Sequence, residues 1–270
     1  MSEARISRLG QVGVYVGKCF RAFVNERGWK TLISSAVIII IISWVAGGDM
    51  FVTFMATRNG AFALVCGFIW IGIFNSIQSI CRERAIIKRE YRTGLHISSY
   101  ITAHMIYEMV LCFAQALIAV ILLFMLRTPP GQGIFTASFI ELFITFFLVI
   151  FAADALGLLV SCIVKTENAA MTAMPFVLIL QLVLAGIVFE LDGVASSLSN
   201  FTISRWGVNA ICSIANVNNM PGALLSNHNR SDFYFSAGHL TQLWMILIVF
   251  TILYGLLAII SLKFIDRDKR

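Results

Sequence analysis

Carboxylates set inside long apolar runs are the side chains here with the most capacity for chemistry, because each costs about 3 kcal/mol in hydrocarbon unless it is paired or hydrated. Three stand in such runs: Glu108, Asp154 and Glu141. Glu141 lies near one end of its run and is expected to reach water. Asp154 lies about nine residues, roughly 14 Å at helical rise, from the opposite end of the same run. The readings of Asp154 stand side by side: a contact for a cationic or hydroxyl-rich substrate, and a buried structural hydrogen bond or neutral protonated acid. Glu108 has Arg21 or Arg27 as its expected partner, which makes it a link between segments rather than a substrate contact. A proton relay needs ionisable groups at several depths with matching bases, and His104 is the base available. Metal chemistry finds no support, because His96, His104, His228 and His239 are scattered and no Cys or His spacing fits a zinc site.

These residues need apolar helices to hold them. The chain has 270 residues, 59% of them hydrophobic and 13% charged, with a mean hydropathy of +0.87. An ordinary soluble domain has about twice that share of charge. Apolar runs predict helices at about Thr31 to Val45, Ala61 to Ser79, Tyr100 to Leu126, Ser138 to Val164, Ala169 to Phe189 and Thr241 to Leu262. A barrel of short alternating strands does not accommodate the third and fourth runs, which are continuous and longer than 20 residues. The expected fold is therefore an all-α membrane protein with six transmembrane helices. Residues 1–30 form a cytoplasmic N-terminal segment and residues 31–270 the membrane domain.

The net charge of +6 reports orientation. Arg5, Arg8, Lys18, Arg21, Arg27 and Lys30 precede the first span, and Arg82, Arg84, Lys88, Arg89 and Arg92 lie between the second and third. Lys165 and the tail residues Lys263, Arg267, Lys269 and Arg270 fall on the same side, against Arg58, Arg127, Arg205 and Arg230 on the other. The positive-inside rule places both termini in the cytoplasm. Cys212 is the single cysteine expected in an external loop, which excludes an external intrachain disulfide and leaves one thiol for an intermolecular bridge.

Two cytoplasmic segments carry further pattern. Leu9, Val12, Val16, Phe20, Phe23 and Val24 recur at three-and-four spacing, which predicts an amphipathic helix at the membrane surface, serving as an anchor or as a connector to a cytoplasmic partner. Residues 81–96 mix five basic and two acidic residues around Ile86, Ile87 and Tyr91. That mixture suits a short helix docking into a protein groove, with Gly94 ending it.

The ordered set Trp70-Ile-Gly72, Phe74-Asn75-Ser76, Glu83-Arg84, Ile86-Ile87, Arg89-Glu90, Gly94, Tyr100, Ala103 and Glu108 resembles the second span, elbow and third span of ABCG-type ABC transporter permeases, and most of all their bacterial half-transporter relatives. Ala155 to Ser161, Pro175, Leu184 to Phe189 and Ser204 to Ala210 resemble the later elements of that family in the same order. The sequence departs from the family pattern at His104, where Lys is frequent, and at Met109 and Val110, where a Pro follows the Glu.

The resemblance implies the membrane-spanning permease subunit of an ATP-driven exporter in the cell (inner) membrane, moving an amphipathic or lipid-like substrate, with a second permease protomer and an ATP-binding subunit as partners. It implies a connector helix over Leu9 to Val24, a coupling helix within 81–96, and an external loop over 190–240 with a re-entrant helix near Ser204 to Ile214. Its coupling set would be Glu83, Arg84, Arg89, Glu90, Glu108, Arg21 and Arg27. Its substrate cavity, between spans two and five, would be lined by Phe68, Ile71, Asn75, Phe176, Val177, Leu180, Gln181 and Leu184, beneath an apolar plug of Ile187 and Val188. Ordinary helix packing, with Asn75 and Gln181 hydrogen-bonded across helices, explains the same spacing. No Gly-x-x-x-x-Gly-Lys-Ser/Thr occurs, and Gly17-Lys18-Cys19 lacks both the hydroxyl and an upstream Gly at Val12. ATP and Mg therefore belong to the partner subunit, no cofactor is expected on this chain, and the chain is not itself an enzyme. Two other classes compete with the exporter: a membrane scaffold or sensor driven by an ATP-binding partner without transport, and a secondary transporter.

Overall fold

The computed structural model describes residues 7–264 apart from 129, 190, 192 and 226–229. The described residues are helical, without strands. Five helices are long and apolar enough to cross a membrane: α2 (Trp29–Ala46), α3 (Phe54–Ser76), α5 (Ile97–Leu126), α6 (Ser138–Ile163) and α10 (Ala237–Lys263). The run at Ala169 to Phe189 forms α7 (Glu167–Val183), a shorter apolar helix of 17 residues that contains Pro175. Thr166 caps it, accepting from Ala169 N at 3.2 Å. At 1.5 Å per residue α7 reaches about 26 Å, slightly less than a bilayer core. The remaining helices are α1 (Arg8–Asn25), α4 (Ser79–Arg92), α8 (Val194–Ser199) and α9 (Ile203–Ile214).

The centre of the bundle is α6, against which α3, α5 and α10 pack. Its contact with α3 depends on missing side chains. A Cβ at Gly72 would lie 2.3 Å from the Ile150 carbonyl oxygen, and one at Gly157 would lie 2.6 Å from Ser76 Oγ. Small residues let helices without a hydrophobic drive between them approach closely. Ser76 seals the crossing by donating to the Asp154 carbonyl at 2.6 Å. Further along, the buried Phe68 ring packs on Phe146 with centroids 4.5 Å apart.

The segment expected as an external loop is more buried than its polarity suggests. In α9 every residue except Arg205 and Trp206 is buried, and the helix packs among α3, α6 and α10. Cys212 is fully buried there, which corrects the reading of it as an accessible external thiol. Glu141 requires a second correction: it does not reach water. It is buried and accepts backbone hydrogens from Ile134 at 2.8 Å, Phe135 at 2.5 Å and Thr136 at 3.1 Å. Its carboxylate folds the preceding loop onto the start of α6, satisfying buried N–H groups that have no helical partner.

Candidate functional site

The charge-rich segment 81–96 forms α4 and its terminating turn, and three other helices hold it. Its first free N–H groups, those of Ile80 and Cys81, donate to Ser161 Oγ of α6 at 3.0 and 3.1 Å. Arg84 reaches back to the Cys162 and Val164 carbonyls at 2.9 and 3.1 Å, which are among the unsatisfied acceptors at the end of α6. Tyr100 of α5 donates its hydroxyl to Glu83 at 2.8 Å. From α1, Lys18 pairs with the same carboxylate at 2.7 Å, and Tyr15 donates to Glu90 at 2.8 Å. Gln11 uses both ends of its amide, donating to the Gly94 carbonyl at 3.3 Å and accepting from His96 N at 3.0 Å.

The helix ends as its sequence predicts. Gly94 has φ +109°, Gly94 N donates to the Tyr91 carbonyl and Leu95 N to the Glu90 carbonyl. These two bonds form a Schellman closure, which favours glycine at the left-handed position. Ile80 and Ile87 are buried under α4, while Arg82, Ala85, Ile86 and Arg89 face outward, Ile86 at 42% exposure. The exposed Arg82 reaches Glu26 beyond α1 at 3.3 Å. The result is a short helix fixed to α1, α5 and α6 with one open face. The bonds on its inner side run to two long helices, α5 and α6.

Glu108 is not joined to Arg21 or Arg27. Arg21 donates to its own helix at the Gly17 carbonyl, and Arg27 is exposed in the turn after α1 with φ +56°. The face of α1 that meets α4 and α5 carries Gln11, Tyr15 and Lys18, and Phe20 and Phe23 meet the Tyr107 ring edge-on. Glu108 is buried with Oε2 lacking a partner, and Asp154 is buried with both carboxylate oxygens lacking one. The two acids are within electrostatic reach of each other. His104, one turn before Glu108, packs at a tilt against the Tyr100 ring and lies 3.9 Å from Cys19 Sγ.

The expected cavity set divides into two groups. Phe68 and Ile71 turn into the core of the bundle and Gln181 is buried. Asn75 pairs with Gln115 of α5 through both amide groups, at 2.8 and 3.2 Å, and Gln115 continues to Ser35 Oγ at 3.0 Å. Gln181 instead caps α9, accepting from Ile203 N and Ser204 N at 2.9 and 3.2 Å. So the two amides are both hydrogen-bonded across helices, but not to each other.

Phe176 and Leu180 do stand open on α7, at 66% and 60% exposure, with Val177 and Leu184 half-buried beside them. The matching open surface of α3 is formed by Trp70 and Phe74 with Cys66 half-buried beside them, residues that helical spacing alone did not select. A cleft of about 210 Å³ lies between the two helices, lined by Cys66, Ile69, Trp70, Pro175, Ile179 and their neighbours. Beyond α7 the chain turns at Gly186, with Ile187 half-buried and Val188 exposed.

Comparison with known proteins agrees with this architecture. Residues 11–215 match the family described as ABC-2 type transporter, whose members carry this membrane domain. The chain is also similar to a Mycobacterium tuberculosis protein named ABC transporter ATP-binding/permease protein Rv1747, at 25% identity over 266 residues. That alignment covers 92% of this chain and 31% of the relative, so the chain spans about a third of the relative's length. With its multi-pass helical bundle and a family match running from α1 through α9, the chain belongs to the ABC-2 type transporter family as a permease membrane domain.

Proposed function

We propose that the chain is the membrane half of an ATP-driven exporter, with ATP and Mg bound and hydrolysed by a separate ATP-binding subunit that seats on the outer face of α4. The observation that carries this reading is the fixation of α4. Bonds from α1, α5 and α6 hold its inner side, while Ala85, Ile86 and Arg89 are left open. An apolar residue flanked by a cation suits a protein groove better than water. The resemblance to ABCG-type permeases supports six spans, with α7 as the fifth, α9 as a re-entrant element, and both termini in the cytoplasm of a cell with an inner membrane.

Two protomers then meet across the open faces of α3 and α7. Cys66, Trp70 and Phe74 face Phe176, Ile179 and Leu180 there, with Ile187 and Val188 above as the plug. A path lined by aromatic and aliphatic groups suits an amphipathic or lipid-like substrate. The test is turnover. The purified chain alone should hydrolyse no ATP, and its complex with an ATP-binding subunit should hydrolyse ATP faster when a hydrophobic compound is added. Turnover by the isolated chain would refute the division of labour. A complex whose turnover ignores every hydrophobic compound would favour the scaffold reading.

A further inference from the structure

We propose that Arg58 is the binding site for an acidic headgroup on the transported amphiphile; this rests on reading the open α3 and α7 faces as the path. Arg58 lies one turn into α3, and its Nε is buried without a hydrogen-bond partner. Among the described residues its Nη2 reaches the Gly186 and Ile187 carbonyls, at 3.5 and 3.4 Å, both long for an N–H···O bond. Among the described residues no carboxylate forms a salt bridge with it. A guanidinium cannot shed its charge and offers five donors in a planar fork that fits a carboxylate or phosphate bidentately. A half-buried guanidinium near the outer end of a membrane helix, without a carboxylate partner among the described residues, is placed to pair with an anion.

The rest of the ligand is read from the cleft below. Arg58 bridges the same two elements that enclose it, α3 and the turn after α7. Gln181 contributes to its wall, but its amide oxygen is occupied by α9, so the cleft has an apolar lining. Ile69 follows Arg58 by eleven residues, three helical turns along the same face and about 16 Å away, and Cys66 is about 12 Å away. The spacing fits one molecule with an acidic head at Arg58 and an extended apolar chain reaching Cys66 and Ile69. The contacts that Arg58 now makes are with the turn that carries the plug. An arriving carboxylate or phosphate takes the guanidinium as a stronger, charge-assisted partner, which frees the Gly186 and Ile187 carbonyls and loosens the turn.

The experiment uses the purified chain with dodecanoate, dodecanol and dodecylammonium as probes. Each is titrated for its protection of Cys66 from a maleimide, read by peptide mass spectrometry with Cys19 on α1 as the reference thiol. Dodecanoate should protect Cys66 at a concentration about tenfold or more below that of dodecanol, the worth of one charge-assisted hydrogen bond. Dodecylammonium should protect least. Arg58→Gln should remove the preference for dodecanoate and leave the dodecanol curve in place, which also shows that the variant is folded. Arg58→Lys should keep part of the preference. Equal protection by dodecanoate and dodecanol in the wild type, or a preference that survives in Arg58→Gln, overturns the role of Arg58 and leaves the path intact. If no probe protects Cys66, the α3 and α7 path fails together with the headgroup site.

Discussion

Replacing Glu83 by Ala tests how α4 is held. Glu83 accepts from Lys18 Nζ at 2.7 Å and from the Tyr100 hydroxyl at 2.8 Å. The two bonds are unequal in worth. Both ends of the ion pair are partly open, Lys18 at 38% and Glu83 at 29% side-chain exposure, so its contribution is about 0.2–1 kcal/mol. Tyr100 is fully buried, and stranding its hydroxyl costs about 1–3 kcal/mol. Glu83→Ala should therefore destabilise the α1, α4 and α5 corner by about 1–4 kcal/mol, most of it through Tyr100. Glu83→Gln keeps an acceptor for Tyr100 and should cost less than about 1 kcal/mol. Thermal unfolding of the purified chain, together with hydrogen exchange in α1 and α4, reads the difference. Adding Tyr100→Phe to Glu83→Ala removes the stranded donor and should recover part of the loss, a non-additivity that a double-mutant cycle measures. Equal effects of Ala and Gln, or strict additivity with Tyr100→Phe, would refute the assignment of the energy to the buried hydroxyl.

Gly72→Ala should be among the most damaging single-methyl changes in the chain, because its Cβ meets the Ile150 backbone oxygen at 2.3 Å and the α3 and α6 crossing has to widen. Gly67→Ala meets side chains alone, the Ile42 tip closely and Ile38 at ordinary contact, and should be tolerated, so the thermal midpoints of the two variants check the crossing directly. Glu108→Gln should leave hydrogen exchange in α1 unchanged, since Gln11, Tyr15 and Lys18 hold that helix; release of α1 would show a tie to Glu108 that the structure lacks. Burial, reinforced by the Glu108 and Glu83 charges, pushes the Cys19 thiol up to about 11. The thiol is protonated below that value, so maleimide labelling of Cys19 should be slow at neutral pH and rise about tenfold per pH unit until about 11; a rate that levels off near pH 9 would contradict the buried setting.

Elements with a boundary signal were legible in the sequence. The three-and-four spacing of Leu9 to Val24 became α1, the mixed charge after the second span became α4, and Gly94 closed it. The direction in which the long helices face was not legible. Over most of their circumference α3 and α7 are apolar, so spacing groups residues on a face without saying which face is open. Phe68, Ile71 and Asn75 do share a face, but the bundle rotates it inward and leaves Trp70 and Phe74 outside. Partners supplied by the backbone were equally hidden. Glu141 is occupied by three N–H groups and Gln181 by two, and residue types do not reveal either arrangement. For Glu108 the sequence offered cations on α1, and only the roll of that helix shows that Lys18, not Arg21 or Arg27, meets the carboxylate-bearing neighbour, which is Glu83.

The central claim is that the open face of α4 receives the ATP-binding subunit, and site-directed cross-linking tests it most directly. A cysteine placed by Ile86→Cys sits on that face, one placed by Ile87→Cys sits beneath it, and one placed by Val45→Cys sits exposed at the far end of α2. With the ATP-binding subunit co-purified and a short bifunctional cross-linker added, Ile86→Cys should form a covalent adduct with that subunit, and Ile87→Cys and Val45→Cys should not. Adduct formation at Val45→Cys with none at Ile86→Cys would contradict the docking surface and the orientation of the chain in the membrane together.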